Sequence, residues 1–110
     1  MKAKIFISGL LAAAVLCVGA FAEERYVREE AARRNITLIT LKEAEQIAMQ
    51  QLKSRNFRFK ESELEDEADD YPNAINFRPV YKFECKSEGR EYEIEIDAVT
   101  GKVLKFERDD

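Results

Sequence analysis

The sequence predicts an α+β domain, one helix packed on a small antiparallel sheet of about four strands, preceded by a signal peptide. Three observations carry that prediction. A charge-free run follows two N-terminal lysines, a capped amphipathic segment begins at Thr40, and the last third alternates polar with apolar residues.

The leader comes first. Lys2 and Lys4 form a short positive segment, and the run from Ile5 to Phe21 carries no charge. It ends in Ala20-Phe21-Ala22, a small-x-small pattern that signal peptidase accepts, and Glu23 and Glu24 follow at once. The expected cut lies between Ala22 and Glu23. An uncleaved membrane anchor is the competing reading, because the apolar run approaches the lower limit for a spanning helix. Gly19 favours a bend and cleavage. Cys17 follows Leu16 rather than a small residue, so it is not a lipidation site and leaves with the leader. The organisation expected is therefore a signal peptide over 1–22, a charged linker or frayed helix over 23–38, and one domain over 39–110. Export to the periplasm or the medium follows, with no membrane association once the leader is cut.

Composition narrows the function classes. The chain of 110 residues has a formal net charge of −4, and the leader holds two lysines and no acid, so the exported part is more acidic still. That balance argues against nucleic acid, whose phosphates need clustered Lys and Arg, and against anionic lipid. After cleavage Cys85 is the one remaining cysteine, which excludes an internal disulfide.

Residues 23–35 are dense in mixed charge. Glu29 with Arg33 and Glu30 with Arg34 are spaced for helical ion pairs, but the apolar content predicts no firm core contact. Thr40 and Glu43 stand three apart, as a capping box requires, and Ile39 is placed to staple onto Ala44. The helix is expected to run to about Lys53 or Ser54, with Ala44, Ile47, Ala48 and Leu52 on its apolar face. Phe57 to about Glu65 reads as a strand, and the acidic stretch that follows, with Tyr71-Pro72-Asn73, as a loop.

Tyr81, Phe83 and Cys85 alternate with Lys82, Glu84 and Lys86. Tyr92, Ile94 and Ile96 alternate with Glu91, Glu93, Glu95 and Asp97. A two-residue turn at Glu88-Gly89 places Cys85 opposite Tyr92, Phe83 opposite Ile94 and Tyr81 opposite Ile96, all on one dry face. It turns Cys85 inward and sets Lys82 beside Glu95 and Lys86 beside Glu91, with Glu84 opposite Glu93 as the one mismatch. A three-residue turn at 99–101 sets Leu104 beside Ile96, Phe106 beside Ile94 and Lys105 beside Glu95, with Gly101 where a left-handed residue is wanted.

The stretch Ile39-Thr40-Leu41-Lys42-Glu43-Ala44-Glu45-Gln46-Ile47-Ala48 resembles the opening helix of PepSY domains. Tyr92 to Leu104, with its Asp97-Ala98-Val99-Thr100-Gly101-Lys102-Val103 run, resembles their closing hairpin. The likeness covers about 39–108, and the charged loop at 65–78 is longer than the family leads one to expect. The resemblance implies a helix on an antiparallel sheet, acting outside the cytoplasm of a bacterium, in a family thought to restrain or modulate peptidases. It supplies no catalytic residues.

The residues read alone agree. There is no histidine, one thiol builds no metal or redox pair, and neither a phosphate-binding Gly-rich loop nor a Gly-x-Ser-x-Gly elbow is present. No enzyme activity and no cofactor are expected. The glutamates along the strands read as a solvated face. The expected function is an exported, non-catalytic binding module that modulates or inhibits a peptidase or other envelope enzyme. Tyr71, Pro72, Ile75 and Phe77 in the acidic loop are the candidate anchors for that protein partner. The alternative is an acidic cation-binding or buffering envelope protein with no peptidase partner.

Overall fold

The computed structural model describes residues 18–53 and 56–108 as two helices followed by four strands. They are α1 (Val18–Arg33), α2 (Leu41–Gln51), β1 (Phe57–Asp66), β2 (Pro79–Ser87), β3 (Arg90–Asp97) and β4 (Val103–Arg108). The leader expected over 1–22 lies outside the described residues except at its last few positions, which belong to α1. The strands form one antiparallel sheet in the order β1-β2-β3-β4, so each pairs with its neighbour in sequence. The α+β class is the one that the sequence predicts, and α1 joins it as a second helix.

The α2 N-terminus forms as its sequence dictates. Thr40 Oγ1 accepts from the Glu43 amide at 3.0 Å, and the Thr40 amide donates to Glu43 Oε1 at 2.8 Å. Ala44 and Ala48 are fully buried, and small side chains there let the helix lie close on the sheet. The helix stops at Gln51, a little short of the expected Lys53, with Leu52 as its C-cap and buried.

The β2–β3 register is the expected one throughout: Cys85 faces Tyr92, Phe83 faces Ile94 and Tyr81 faces Ile96. Glu88 and Gly89 take the positive φ values, 53° and 76°, that a two-residue hairpin needs. Between β3 and β4 one pair departs from expectation. Glu95 faces Lys105 and Ile94 faces Phe106 as expected, but Ile96 faces Val103 rather than Leu104. The turn begins one residue earlier than a three-residue loop, with the Asp97 amide donating to Lys102 O at 2.8 Å, and a bulge absorbs the difference.

A second bulge lies in β1. Phe59 pairs with Cys85 and Glu61 with Glu84, so Lys60 is the extra residue. Phe57 and Phe59 on one side of it, and Ser62 and Leu64 on the other, thereby face the same way. Were the same residues, Lys60 included, paired without a bulge, Glu61, Glu63 and Glu65 would point into the core.

Both helices pack on the dry face. The core joins Val27 and Ala31 from α1, Ala44 and Ala48 from α2, and Leu64, Tyr81, Phe83, Cys85, Ile94 and Ile96 from the sheet. This corrects the expectation for 23–35. Val27 and Ala31, one turn apart, are 0% and 2% exposed, and Arg28 donates to the Tyr81 hydroxyl at 3.4 Å. A stripe two residues wide suffices because α1 packs chiefly along β1, at the sheet's margin.

Candidate functional site

The segment from Asp66 to Arg78 is where the chain leaves the sheet and returns. Its neck is closed by the Glu67 amide donating to Arg78 O at 2.8 Å. Asp66 Oδ1 accepts from the amides of Ala68 and Arg78 at 3.1 and 2.9 Å. Asn73 clamps the return: its Oδ1 accepts from the Phe77 amide at 3.1 Å and its Nδ2 donates to Phe77 O at 2.8 Å. Arg34 at the end of α1 donates to Ile75 O at 2.9 Å, and its guanidinium lies 5.0 Å from the centre of the Phe77 ring. Charge and a Tyr-Pro-Asn turn made this a loop in sequence, and side-chain clamps give it a fixed shape.

The four candidate anchors separate. Phe77 is 1% exposed and belongs to the core, so it offers no surface to a partner. Its alternation with Pro79 and Tyr81 continues the apolar pattern of β2, which is the signal that assigns it inward. Tyr71 is half-buried, its hydroxyl donating to Glu95 Oε1 at 3.0 Å. Pro72 is exposed, and Ile75 is 51% exposed. Ile75 stands on the rim of a groove of about 320 Å³ shared with Ile36, Val99 and Thr100, with Arg78 and Asp97 among its lining residues. Val99, 41% exposed, completes an apolar pair with Ile75 across that groove. Sequence reasoning passed over Val99, and the available signal was an apolar residue in the middle of a polar turn.

Asp97 holds the groove's wall in place. Its Oδ1 accepts from the amides of Val99 and Thr100 at 2.8 and 3.0 Å, and its Oδ2 pairs with Arg78 Nη1 at 3.1 Å. Ala98 is fully buried, its amide donating to Pro79 O and its carbonyl accepting from Ile39. Gly101 has φ +81°, and a Cβ there would stand 3.1 Å from Ile47 Cδ1. The Asp-Ala-x-Thr-Gly run is thus a turn-forming device that docks the β3–β4 hairpin on α2.

The outer face of the sheet is not the solvated glutamate ladder expected. Glu95 and Asp97 are 4% and 6% exposed, because Tyr71 lies over Glu95 and Arg78 over Asp97. Glu95 sits between two lysines, with Lys82 Nζ at 4.0 Å and Lys105 Nζ at 3.9 Å, as the register implies. Lys82 also lies 3.7 Å from both Glu65 and Glu67. Glu91, opposite Lys86 in the ladder, pairs with Lys60 of the bulge at 3.3 Å.

Three carboxyls crowd one another there. A hydrogen bond to Glu65, with partial burial and neighbouring acids, pushes the Glu63 carboxyl up to about 7. Burial and hydrogen bonds to Glu65 and Asp70 push Glu67 up to about 8, while Glu65, which accepts from both, is held below its ordinary value. These carboxyls are engaged with one another and with Lys82. Among the described residues no group of three or more His, Cys, Asp or Glu side chains is arranged to hold a metal ion. Cys85 is 1% exposed, and burial pushes its thiol up to about 11, so it is neither a nucleophile nor an intermolecular bridge in the folded chain.

Among the described residues no helix is long and apolar enough to cross a membrane. Comparison with curated proteins and with solved structures returns no match. A family model described as "Peptidase propeptide and YPEB domain" matches residues 38–107, well over half of the chain. Domains of that family are generally non-catalytic, are associated with peptidase regulation and typically lie outside the cytoplasm. By that match, which spans α2 and all four strands, the chain belongs to the PepSY family.

Proposed function

We propose that this chain is an exported, non-catalytic binding module that modulates a peptidase of the cell envelope or the medium. The observation that carries the reading is the family match over 38–107, whose description is that of a peptidase propeptide. The surface it would use is the groove rim formed by Ile75 and Val99, with the exposed Pro72 on the same loop as Ile75. Two exposed aliphatic side chains there stand on a loop and a turn that Asn73, Arg34 and Asp97 hold rigid. Fixed apolar anchors bind at little entropic cost, which suits a recognition surface. In this reading residues 1–22 are the leader, removed between Ala22 and Glu23 during export, and the part of α1 that remains stays packed on the domain through Val27 and Ala31.

The test is capture and inhibition. The full chain, expressed for export and carrying a C-terminal tag, is used to pull proteins from the source organism's envelope extract, and any captured peptidase is assayed with and without added chain. A peptidase captured stoichiometrically and slowed by the pure chain, with both effects lost in Ile75→Asp/Val99→Asp, supports the reading. Capture unchanged by that double substitution removes the groove rim as the contact. Recovery of the bait alone removes the peptidase.

A further inference from the structure

One ammonium serves the crowded end of the outer face. Lys82 Nζ stands 3.7 Å from both Glu65 and Glu67 and 4.0 Å from Glu95, and Glu63 is its cross-strand neighbour on β1. Lys105, on the far side of Glu95, is divided among Glu93, Glu95 and Glu107 at 2.9, 3.9 and 3.8 Å. Arg78 is committed to Asp97 at 3.1 Å. More acid adjoins from three elements: Asp70 of the loop hydrogen-bonds Glu67, Glu61 of β1 bears on Glu63, and Glu23 of α1 reaches the Asp66 amide at 3.5 Å. Carboxyls gathered this closely around one lysine keep protons between them. Glu67 hydrogen-bonds to Glu65 on β1 and to Asp70 in the loop at once.

The backbone of Glu67 sets it apart from the other acids. Its carbonyl accepts from the amides of Asp70 and Tyr71 at 3.0 and 2.8 Å, a single turn that ends with the Tyr71 hydroxyl on Glu95 Oε1 at 3.0 Å. Glu63 sits mid-strand, its backbone held by β2, so a charge there is relieved by turning the side chain into water. The Glu67 side chain is 11% exposed and lies inside the turn. A charge on it pushes against Glu65, Asp70 and Glu95 together, and the turn is what yields. The rest of the loop is tied elsewhere, by Asn73 to Phe77 and by Arg34 to Ile75.

We propose that residues 67–71 form a proton-held latch: the protonated Glu67 carboxyl keeps Tyr71 seated over Glu95, and loss of that proton releases Tyr71 and Pro72 while residues 73–78 stay in place. The open turn returns Glu67 to its ordinary 4.5, against about 8 when closed, so closure binds a proton. Closure is therefore most favoured below 4.5, weakens as pH rises and levels off near about pH 8. The latch is a property of the chain alone and stands apart from the peptidase reading.

The test follows amide hydrogen exchange by NMR on the chain expressed for export from its full sequence, between about pH 5 and about pH 9. Each rate is expressed as a protection factor, so that the base catalysis of exchange itself cancels. The Tyr71 amide, bonded to Glu67 O, is expected to lose protection at least about tenfold between about pH 5 and about pH 8 and little beyond. It is also expected to be at least about tenfold less protected than the Phe77 amide that Asn73 clamps, because the turn opens without the rest of the loop. The Glu67 carboxyl carbon, followed in the same samples, is expected to titrate well above 4.5. Glu67→Gln has no proton to lose and is expected to make Tyr71 protection independent of pH, whereas Glu63→Gln leaves the decline in place. Constant Tyr71 protection in the parent overturns the proposal, as does a decline that survives Glu67→Gln. Equal protection of Tyr71 and Phe77 overturns it too, since the turn would then open only with the whole domain. Titration of Glu67 at the ordinary value does the same.

Discussion

Asp97 ties the end of β3 to the turn that follows it and to the returning loop. It stops β3, accepts from two amides of the following turn and pairs with Arg78, all at 6% exposure. Replacing it with alanine leaves two amides and a guanidinium short of their partner. Asp97→Ala is therefore expected to lower unfolding free energy by about 2–4 kcal/mol in urea denaturation. Asp97→Asn keeps an oxygen for the turn amides but loses the charge that faces Arg78, so its cost should be smaller. Equal stability of both variants with the parent would show that the turn holds without the carboxylate. The residue was visible in sequence as the first member of Asp-Ala-x-Thr-Gly, but its contact with Arg78 was not. Nineteen positions separate the two: the sheet sets Val80 opposite Asp97, and Arg78, just before β2 begins, lies diagonally across.

Among the elements, α1 is the one whose role changed most between sequence and structure. Its charges dominate the pattern; Glu30 pairs with Arg34 as expected, and also with Arg33, the partner expected for Glu29. Yet its attachment rests on Val27, Ala31 and the reach of Arg28 and Arg34 to Tyr81 and Ile75. Val27→Ala is expected to cost about 1–3 kcal/mol by chemical denaturation, as for other buried aliphatic truncations. No change would mean that the helix contributes nothing to the domain's stability. The narrow stripe was legible in principle, since Val27 and Ala31 stand four apart. A two-residue stripe carries little weight against so many charges, and the family likeness begins only after it. The sheet was far more legible. Long alternation fixes register through β2 and β3, because a slip of one residue would expose every apolar side chain. The β1 bulge left one trace, the change of parity between Phe59 and Leu64. The 66–78 loop left less, since its shape depends on clamps such as Asn73 to Phe77 that propensity does not encode.

For the whole molecule, the acidic balance is distributed unevenly and gives stability a pH profile. Glu63 and Glu67 have folded values of about 7 and about 8 against an ordinary 4.5, so between these limits the folded chain holds more protons than the unfolded one. Stability must then fall as pH rises through that window. Glu65 and Glu30 are displaced the other way, Glu65 by its hydrogen bond from Glu63 and Glu30 by Arg34, and their contribution is lost as pH falls below the ordinary carboxylate range. The melting temperature is thus expected to peak near about pH 5 and to decline toward pH 8. Glu67→Gln is expected to flatten the alkaline limb and to raise the melting temperature at pH 8. Thermal scans across buffers check both, and a parent profile flat from pH 5 to 8 would contradict them. The groups that set this profile face one another from β1, β2, β3 and the loop, an arrangement that composition alone does not reveal.

The Lys60 bulge has a consequence for how such a chain can change over generations. On either side of it, substitution alters one side chain at a time and the rest of the strand is unaffected. Losing the Lys60 codon is a different event, for it leaves Phe57, Phe59, Ser62 and Leu64 in plain alternation, with the glutamates still outward, and makes β1 an uninterrupted strand. Insertions and deletions in the 67–76 loop change only its length, which costs little. The lineage of this domain should therefore vary freely in loop length, and β1 can pass between a bulged and a regular form by the gain or loss of one residue without exchanging its inward and outward sets.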